Sequence, residues 1–266
     1  MINAGAFKDV DICIMAHPGP ENIVYGSWLA LQTLKIEYFG KSSHASAAPW
    51  DGNLKSNLLG INALDAAVSA YSNLSHLRQQ ILPTDRIHGI ISHGGDAPNI
   101  IPSYCKMEYY IRSKTLSQLK KLQPRVTSCF KAAALSSGCT VEVSPGSTMG
   151  DVVGNSVLGQ LYEAEMIGLG VKMSKDPDHK PRGSTDMGNV THHLPGLHPL
   201  FSLSYDGELD FSYHTADFAK HTRSNEAMKC AIRCSKALAF TGISCVLDPD
   251  LMKKAKLEFV TQVSDK

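Results

Sequence analysis

Along residues 103–112, SYCKMEYYIR, side chains alternate: Cys105, Met107, Tyr109 and Ile111 share one face, and Lys106, Glu108, Tyr110 and Arg112 the other. A period of two places one face on a core and the other in water, which is a half-buried strand. The tail of residues 28–39, WLALQTLKIEYF, repeats the pattern, with Leu34, Ile36 and Tyr38 opposed to Thr33, Lys35 and Glu37. RIHGIISH at 86–93, closed by Gly94 and Gly95, reads as another strand, and CTVEVSP at 139–145 as a fourth. Helical spacing of Leu54, Leu58, Leu64, Val68 and Tyr71 predicts a helix over 53–73, capped by Asp51 or Asn53. Residues 116–137 read as a second helix, with a kink or break expected at Pro124. An interior proline removes a hydrogen bond and costs about 3 kcal/mol.

The order from 28 to 145 is therefore β-α-β-β-α-β, the split βαβ or ferredoxin-like pattern, complete as a small domain. Before it, DICIMAHPGP at 11–20 reads as a buried strand running into His17, and AGAF as the end of a helix. After it come helices near 155–168, 216–241 and 250–263, with a buried strand near 199–205. The fold class is thus α/β. A partial α/β domain, residues 1–27 and 146–266, is interrupted by an inserted lid, residues 28–145.

Composition narrows the function classes. The 266 residues are 43% hydrophobic and 19% charged with a formal net charge of +1, so no basic face for nucleic acid is expected. No run of about 18 apolar residues is evident, so no membrane span is expected either. Seven cysteines without a C-x-x-C pair fit reduced thiols in a cytoplasmic protein. Phosphate-loop, dinucleotide and serine-elbow motifs are absent.

Five stretches hold candidate chemistry. His17 ends a buried strand, and His214 in FSYHTADF stands between an acidic loop and a helix expected to start near Thr215. Neutral imidazoles so placed are potential zinc ligands, although a satisfied core histidine and an exposed loop histidine are the plainer readings. His44 stands alone among small residues in GKSSHASAAPWDG, where an imidazole N–H can stabilise an oxyanion. Asn99, in GGDAPNIIPSY, either closes a turn or offers its amide to a substrate carbonyl. Arg112 can fork onto a carboxylate or form a surface ion pair. Gly183, Ser184 and Thr185 of PRGSTDMGNV either present N–H groups to an anion or cap a helix.

Taken in order, MAHPGP, GKSSHASAAPWDG, GGDAPNIIPSY, YYIRS, GSTDMGNV, LPGLHP and FSYHTADF cover almost the whole chain. Together they resemble the zinc-dependent aminoacylase, carboxypeptidase and dipeptidase family, in its amidohydrolase branch. The resemblance implies a zinc-binding α/β domain with an inserted lid. It implies hydrolysis of dipeptides, such as β-alanyl or Xaa-basic ones, or of N-acyl amino acids, by metal-activated water, and a homodimer formed through the lid. It also implies that His17 and His214 are zinc ligands and that His44 reaches the partner subunit's site to polarise the scissile carbonyl. Asn99 would join His44, and Arg112 and the Gly183–Thr185 turn would hold substrate.

The family also uses a His-x-Asp or Cys-x-His motif and a Glu-Glu pair. Neither His-x-Asp nor Glu-Glu occurs in the 266 residues. The expectation is an amino-terminally truncated form, with zinc at most weakly bound and little activity alone. The alternative is a non-catalytic dimerisation module.

Overall fold

The computed structural model describes residues 1–47, 49–50, 59–174, 183–206, 209–210 and 213–264. The chain divides into two compact units, residues 30–148 and residues 1–29 with 149–266.

The first unit is a four-stranded sheet backed by two helices. Its strands are β3 (Ala30–Phe39), β4 (Arg86–His93), β5 (Tyr104–Ser113) and β6 (Thr140–Met149), and its helices α1 (Ala63–Leu77) and α2 (Leu116–Ser137). The spatial order is β4-β5-β3-β6, the ferredoxin-like arrangement that β-α-β-β-α-β predicts. β3 and β5 pair antiparallel from Ala30 opposite Ser113 to Phe39 opposite Tyr104. This register puts Ile36, Tyr38, Cys105, Met107, Tyr109 and Ile111 under the helices, where all are buried. On the outer face Lys35 lies opposite Glu108, and Glu37 opposite Lys106.

Three details differ from the periodicity reading. Helix α1 starts at Ala63, and the side chain of Asn62 accepts the N–H groups of Leu64 and Asp65. The expected caps Asp51 and Asn53, with Leu54 and Leu58, lie outside the described residues. The buried stripe of α1 is Ala63, Ala66, Ala67, Ala70 and Leu74, whereas Val68 and Tyr71 are half exposed. Small side chains let the helix sit close over the large strand residues, so alanine rather than valine or tyrosine takes the core positions. Finally, α2 runs unbroken through Pro124. Burial of Leu119, Leu122, Val126 and Phe130 on both sides of the proline holds it. Several such side chains, each about 1.5–3 kcal/mol, outweigh the one lost hydrogen bond.

The second unit is built on two short parallel ladders. β1 (Cys13–Ile14) pairs with β7 (Gly196–Leu197), and β2 (His17–Gly19) with β8 (Leu200–Ser202). The stretch 11–20 is therefore two short pieces, and in place of a helix ending in AGAF there is a single 3₁₀ turn, Ile2–Ala4, whose last residue opens AGAF. Helices α3 (Ser156–Gly168), α6 (Asn225–Leu247) and α7 (Pro249–Ser264) pack together, with the short α4 (Met187–Thr191) and α5 (Ala216–His221) completing the unit. The expected helix over 216–241 is two helices, because the side chain of Ser224 caps a new one. Buried Asn155 ties the helices together: it caps α3 at Leu158 and donates its amide to the Ala255 carbonyl of α7, 2.9 Å away.

By length and mean hydropathy (1.4 over 18 residues) α6 could cross a membrane, which the sequence reading did not register. Here its face of Ala227, Cys230, Cys234, Ala237, Thr241 and Cys245 is core.

Candidate metal and substrate site

The second unit gathers three rings around His17. His17 opens β2, and its ring centroid lies 5.6 Å from Trp28, 5.8 Å from Tyr213 and 6.2 Å from His198. Trp28 and His198 lie 4.8 Å apart. Gly19 makes room for Tyr213, since a Cβ there would sit 2.7 Å from its hydroxyl. Two main-chain acceptors fix the tautomers. His17 Nδ1 lies 2.7 Å from the Pro18 carbonyl, and His198 Nδ1 lies 2.7 Å from the Met15 carbonyl. A carbonyl only accepts, so in the neutral form of each ring Nδ1 carries the proton and Nε2 the lone pair. Burial, the largest influence, pushes the His198 pKa down, the Met15 bond opposes it, and nearby His17 adds to it, so the ring is neutral at pH 7.

His214 follows Tyr213 directly, so it enters the same neighbourhood through the chain. It is exposed and takes a left-handed backbone, φ 59°, the one described non-glycine residue with positive φ. Such a conformation costs of order 1–3 kcal/mol and is typical of sites where side-chain direction matters. Thr215 caps α5 at the next position through the Phe218 N–H.

The Gly183–Thr185 turn also lies here. Gly183 bridges to Trp28, and its carbonyl accepts the Leu29 N–H at 2.7 Å. Its φ of 151° favours glycine. Thr185 Oγ1 accepts the Met187 N–H at 3.3 Å, but the N-cap position is taken by Asp186, whose side chain makes no cap hydrogen bond, and not by Ser184 or Thr185. Helix α4 behind it has only five residues.

The donor chemistry at His17 fits a divalent cation of borderline softness. A ligating imidazole commonly has its Nδ1 proton held by a carbonyl. Among the described residues, no group of three or more His, Cys, Asp and Glu side chains is arranged to hold an ion.

In the first unit, His44 and Asn99 come together. His44 bridges to Ile100, and the Ala45 N–H donates to the Asn99 carbonyl at 2.9 Å. The Ser46 main-chain N–H donates to His44 Nδ1 at 3.3 Å, with Ser46 Oγ 3.2 Å away. Because a main-chain N–H only donates, the neutral ring carries its proton on Nε2, which is then a donor. Both His44 and Asn99 are exposed. A cavity of about 460 Å³ adjoins them, lined by Ala45, Asn62, Gly95, Asp96, Ile100 and Pro102 among others. Arg112 lies apart on the sheet. Its Nε donates to His88 Nε2 at 3.3 Å, and its guanidinium lies 6.0 Å from the Tyr110 ring centre.

Sequence reasoning missed His198, Trp28 and Tyr213. One signal was available: His-Pro occurs at 17–18 and again at 198–199, and the β2–β8 register brings the two together.

Residues 30–137 match the peptidase dimerisation domain. The whole chain is 40% identical over 268 residues to Xaa-Arg dipeptidase of Mus musculus and 39% identical to that of Homo sapiens. It spans 59% of the length of each. Among solved structures it superposes on an aminobenzoyl-glutamate utilization protein of Klebsiella pneumoniae with a TM-score of 0.67 and 18% identity, covering 90% of this chain and 57% of that one. A dinuclear metal-binding peptidase of the M20 family from Bacillus subtilis gives a TM-score of 0.60 and 16% identity, covering 90% and 59%. These likenesses confirm the mixed α/β fold with its ferredoxin-like lid.

Proposed function

We propose that this chain, related along its whole length to the Xaa-Arg dipeptidases, serves zinc-dependent hydrolysis of the amide bond in dipeptides such as Xaa-basic or β-alanyl ones. The observation that carries the reading is His17: a part-buried imidazole in an aromatic box, its Nδ1 proton tied to a carbonyl and its Nε2 left for an ion. His214 stands as a second ligand on the same unit. When bound, zinc supplies a water acidic enough to attack a carbonyl at neutral pH.

The chain's own residues do the rest. His44 Nε2–H, supplied by the lid of a second copy of the chain, donates to the carbonyl oxygen as negative charge builds on it, while Ser46 holds the ring in the donating tautomer. Asn99 contributes its amide beside His44, and Arg112 and the Gly183–Thr185 turn take the polar groups of the substrate. Catalytic zinc sites use three protein ligands, so the reading requires a third ligand and a general base besides His17 and His214.

The lid supports a homodimer. β4 is an edge strand, with Ile90 62% and Ile91 39% exposed. A second copy would pair with that edge and cover both side chains. The seven free cysteines favour a cytoplasmic location.

Zinc titration of the chain and of His17→Ala tests the reading. Zinc affinity that falls at least tenfold in His17→Ala supports it. Affinity unchanged in that variant overturns it.

A further inference from the structure

His198 is the buried polar group that the proposed chemistry leaves unused. Its side chain is 2% exposed, yet its Nε2 has no hydrogen-bond partner among the described residues. An orphaned polar atom in a core costs about 1–3 kcal/mol and calls for a reason. The Met15 carbonyl takes the Nδ1 proton at 2.7 Å, so Nε2 carries a lone pair and can only accept or ligate. Trp28 fixes the ring from one side, 4.8 Å between centroids, and its Nε1–H donates to the His198 carbonyl at 3.4 Å. The imidazole is thus held in one orientation with nothing to receive.

Across from it stands His17, with the same arrangement of a carbonyl-bound Nδ1 and an open Nε2. We propose that His198 Nε2 is a ligand beside His17, the two imidazoles forming a paired nitrogen site for a zinc-like divalent cation. The geometry allows it. With metal–nitrogen bonds of about 2.05 Å and roughly 1.1 Å from nitrogen to ring centre, two imidazoles on one ion have centroids about 5.1 Å apart at a tetrahedral angle and about 6.3 Å apart when opposed. The observed 6.2 Å is near the opposed limit, so the two rings close by about 1 Å to hold a tetrahedral ion. The plain alternative is a buried water hydrogen-bonded to Nε2, which would satisfy the nitrogen without touching zinc binding.

This inference rests on the reading of His17 as a metal-binding residue, and the experiment separates the two. The intact chain, ¹⁵N-labelled, is titrated with Zn²⁺ while the histidine ring nitrogens are followed by long-range ¹H–¹⁵N correlation. The Nε2 signals of His17 and His198 should shift together with one saturation curve. Cu²⁺ in place of zinc should show superhyperfine coupling to one nitrogen more in the wild-type chain than in His198→Gln. His198→Gln should weaken Zn²⁺ binding at least tenfold with an unchanged far-UV spectrum. Should that variant misfold, the wild-type spectrum still decides. A His17 shift with His198 Nε2 unmoved overturns the paired site and leaves the reading of His17 intact. No shift at either ring overturns both.

Discussion

Gly40 opens the stretch that carries His44, and the structure says why a glycine stands there. Its N–H donates to the Ser103 carbonyl at 2.8 Å. At the next position Lys41 and Ile61 exchange two main-chain hydrogen bonds of 2.8 and 3.0 Å. A Cβ on residue 40 would lie 2.0 Å from the Ile61 carbonyl oxygen and 2.9 Å from its carbon. Both are main-chain atoms, so no rotamer relieves the clash, and Asn62, the cap of α1, follows immediately. Gly40→Ala must open this bridge by about 1.4 Å to reach an ordinary contact of about 3.4 Å, beyond the reach of both hydrogen bonds. Losing them costs about 2 kcal/mol, and residual overpacking adds about 1–3 kcal/mol. A gain of roughly 0.5–1 kcal/mol from a stiffer unfolded chain subtracts from this. The net is about 2–4 kcal/mol, which at a slope of about 2 kcal/mol per molar urea lowers the unfolding midpoint by about 1–2 M. Urea titration followed by circular dichroism reads the midpoint, and hydrogen exchange reads the Lys41 and Ile61 amides. A midpoint within about 0.3 M of wild type, with both amides still protected, would refute the steric argument.

Ile90→Lys places a charge on the exposed edge strand and should shift the chain from dimer to monomer in sedimentation at tens of micromolar; an unchanged dimer would place the interface elsewhere. Burial pushes the thiols of Cys105 and Cys234 up to about 11, so neither should react with a thiol reagent at pH 8 until urea unfolds the chain. Hydrogen bonds from Lys35 and Tyr104 hold the Glu37 pKa below its usual value, and one from Lys106 does the same for Glu108. Depressed carboxylates stabilise the fold above their unfolded pKa of about 4.3 and stop doing so as pH falls through the folded values. Urea midpoints should therefore drop as pH is lowered below about 5, and less so in a Glu37→Gln, Glu108→Gln double variant; equal slopes would contradict the assignment.

The lid was legible because its strands bury one face only, so the alternation of residues 30–39 and 104–113 announces both the element and its register. Helix α1 was misplaced because its core face is alanine, which carries little hydrophobic signal, while the louder Val68 and Tyr71 face outward. The other unit was harder to read. Its strands are two or three residues long, too short for any period, and its site is assembled from residues far apart in sequence. His17 and His214 stood out by their motifs. His198 did not, because its meaning lies in a lone pair that only the folded chain shows to be buried and unanswered. Trp28 and Tyr213 were likewise invisible, since neither lies on β2 or β8 and only the folded chain brings their rings to His17.

The most direct measurement exchanges this chain for the 268 matched residues of the Mus musculus Xaa-Arg dipeptidase and follows release of arginine from a dipeptide, with zinc content determined alongside. The account predicts hydrolysis that a chelator abolishes. His44→Ala should lower kcat by about 10²–10³, the scale for one lost oxyanion donor, with zinc content unchanged. A folded, zinc-loaded chimera that releases no arginine would contradict it, as would one whose rate is indifferent to His44.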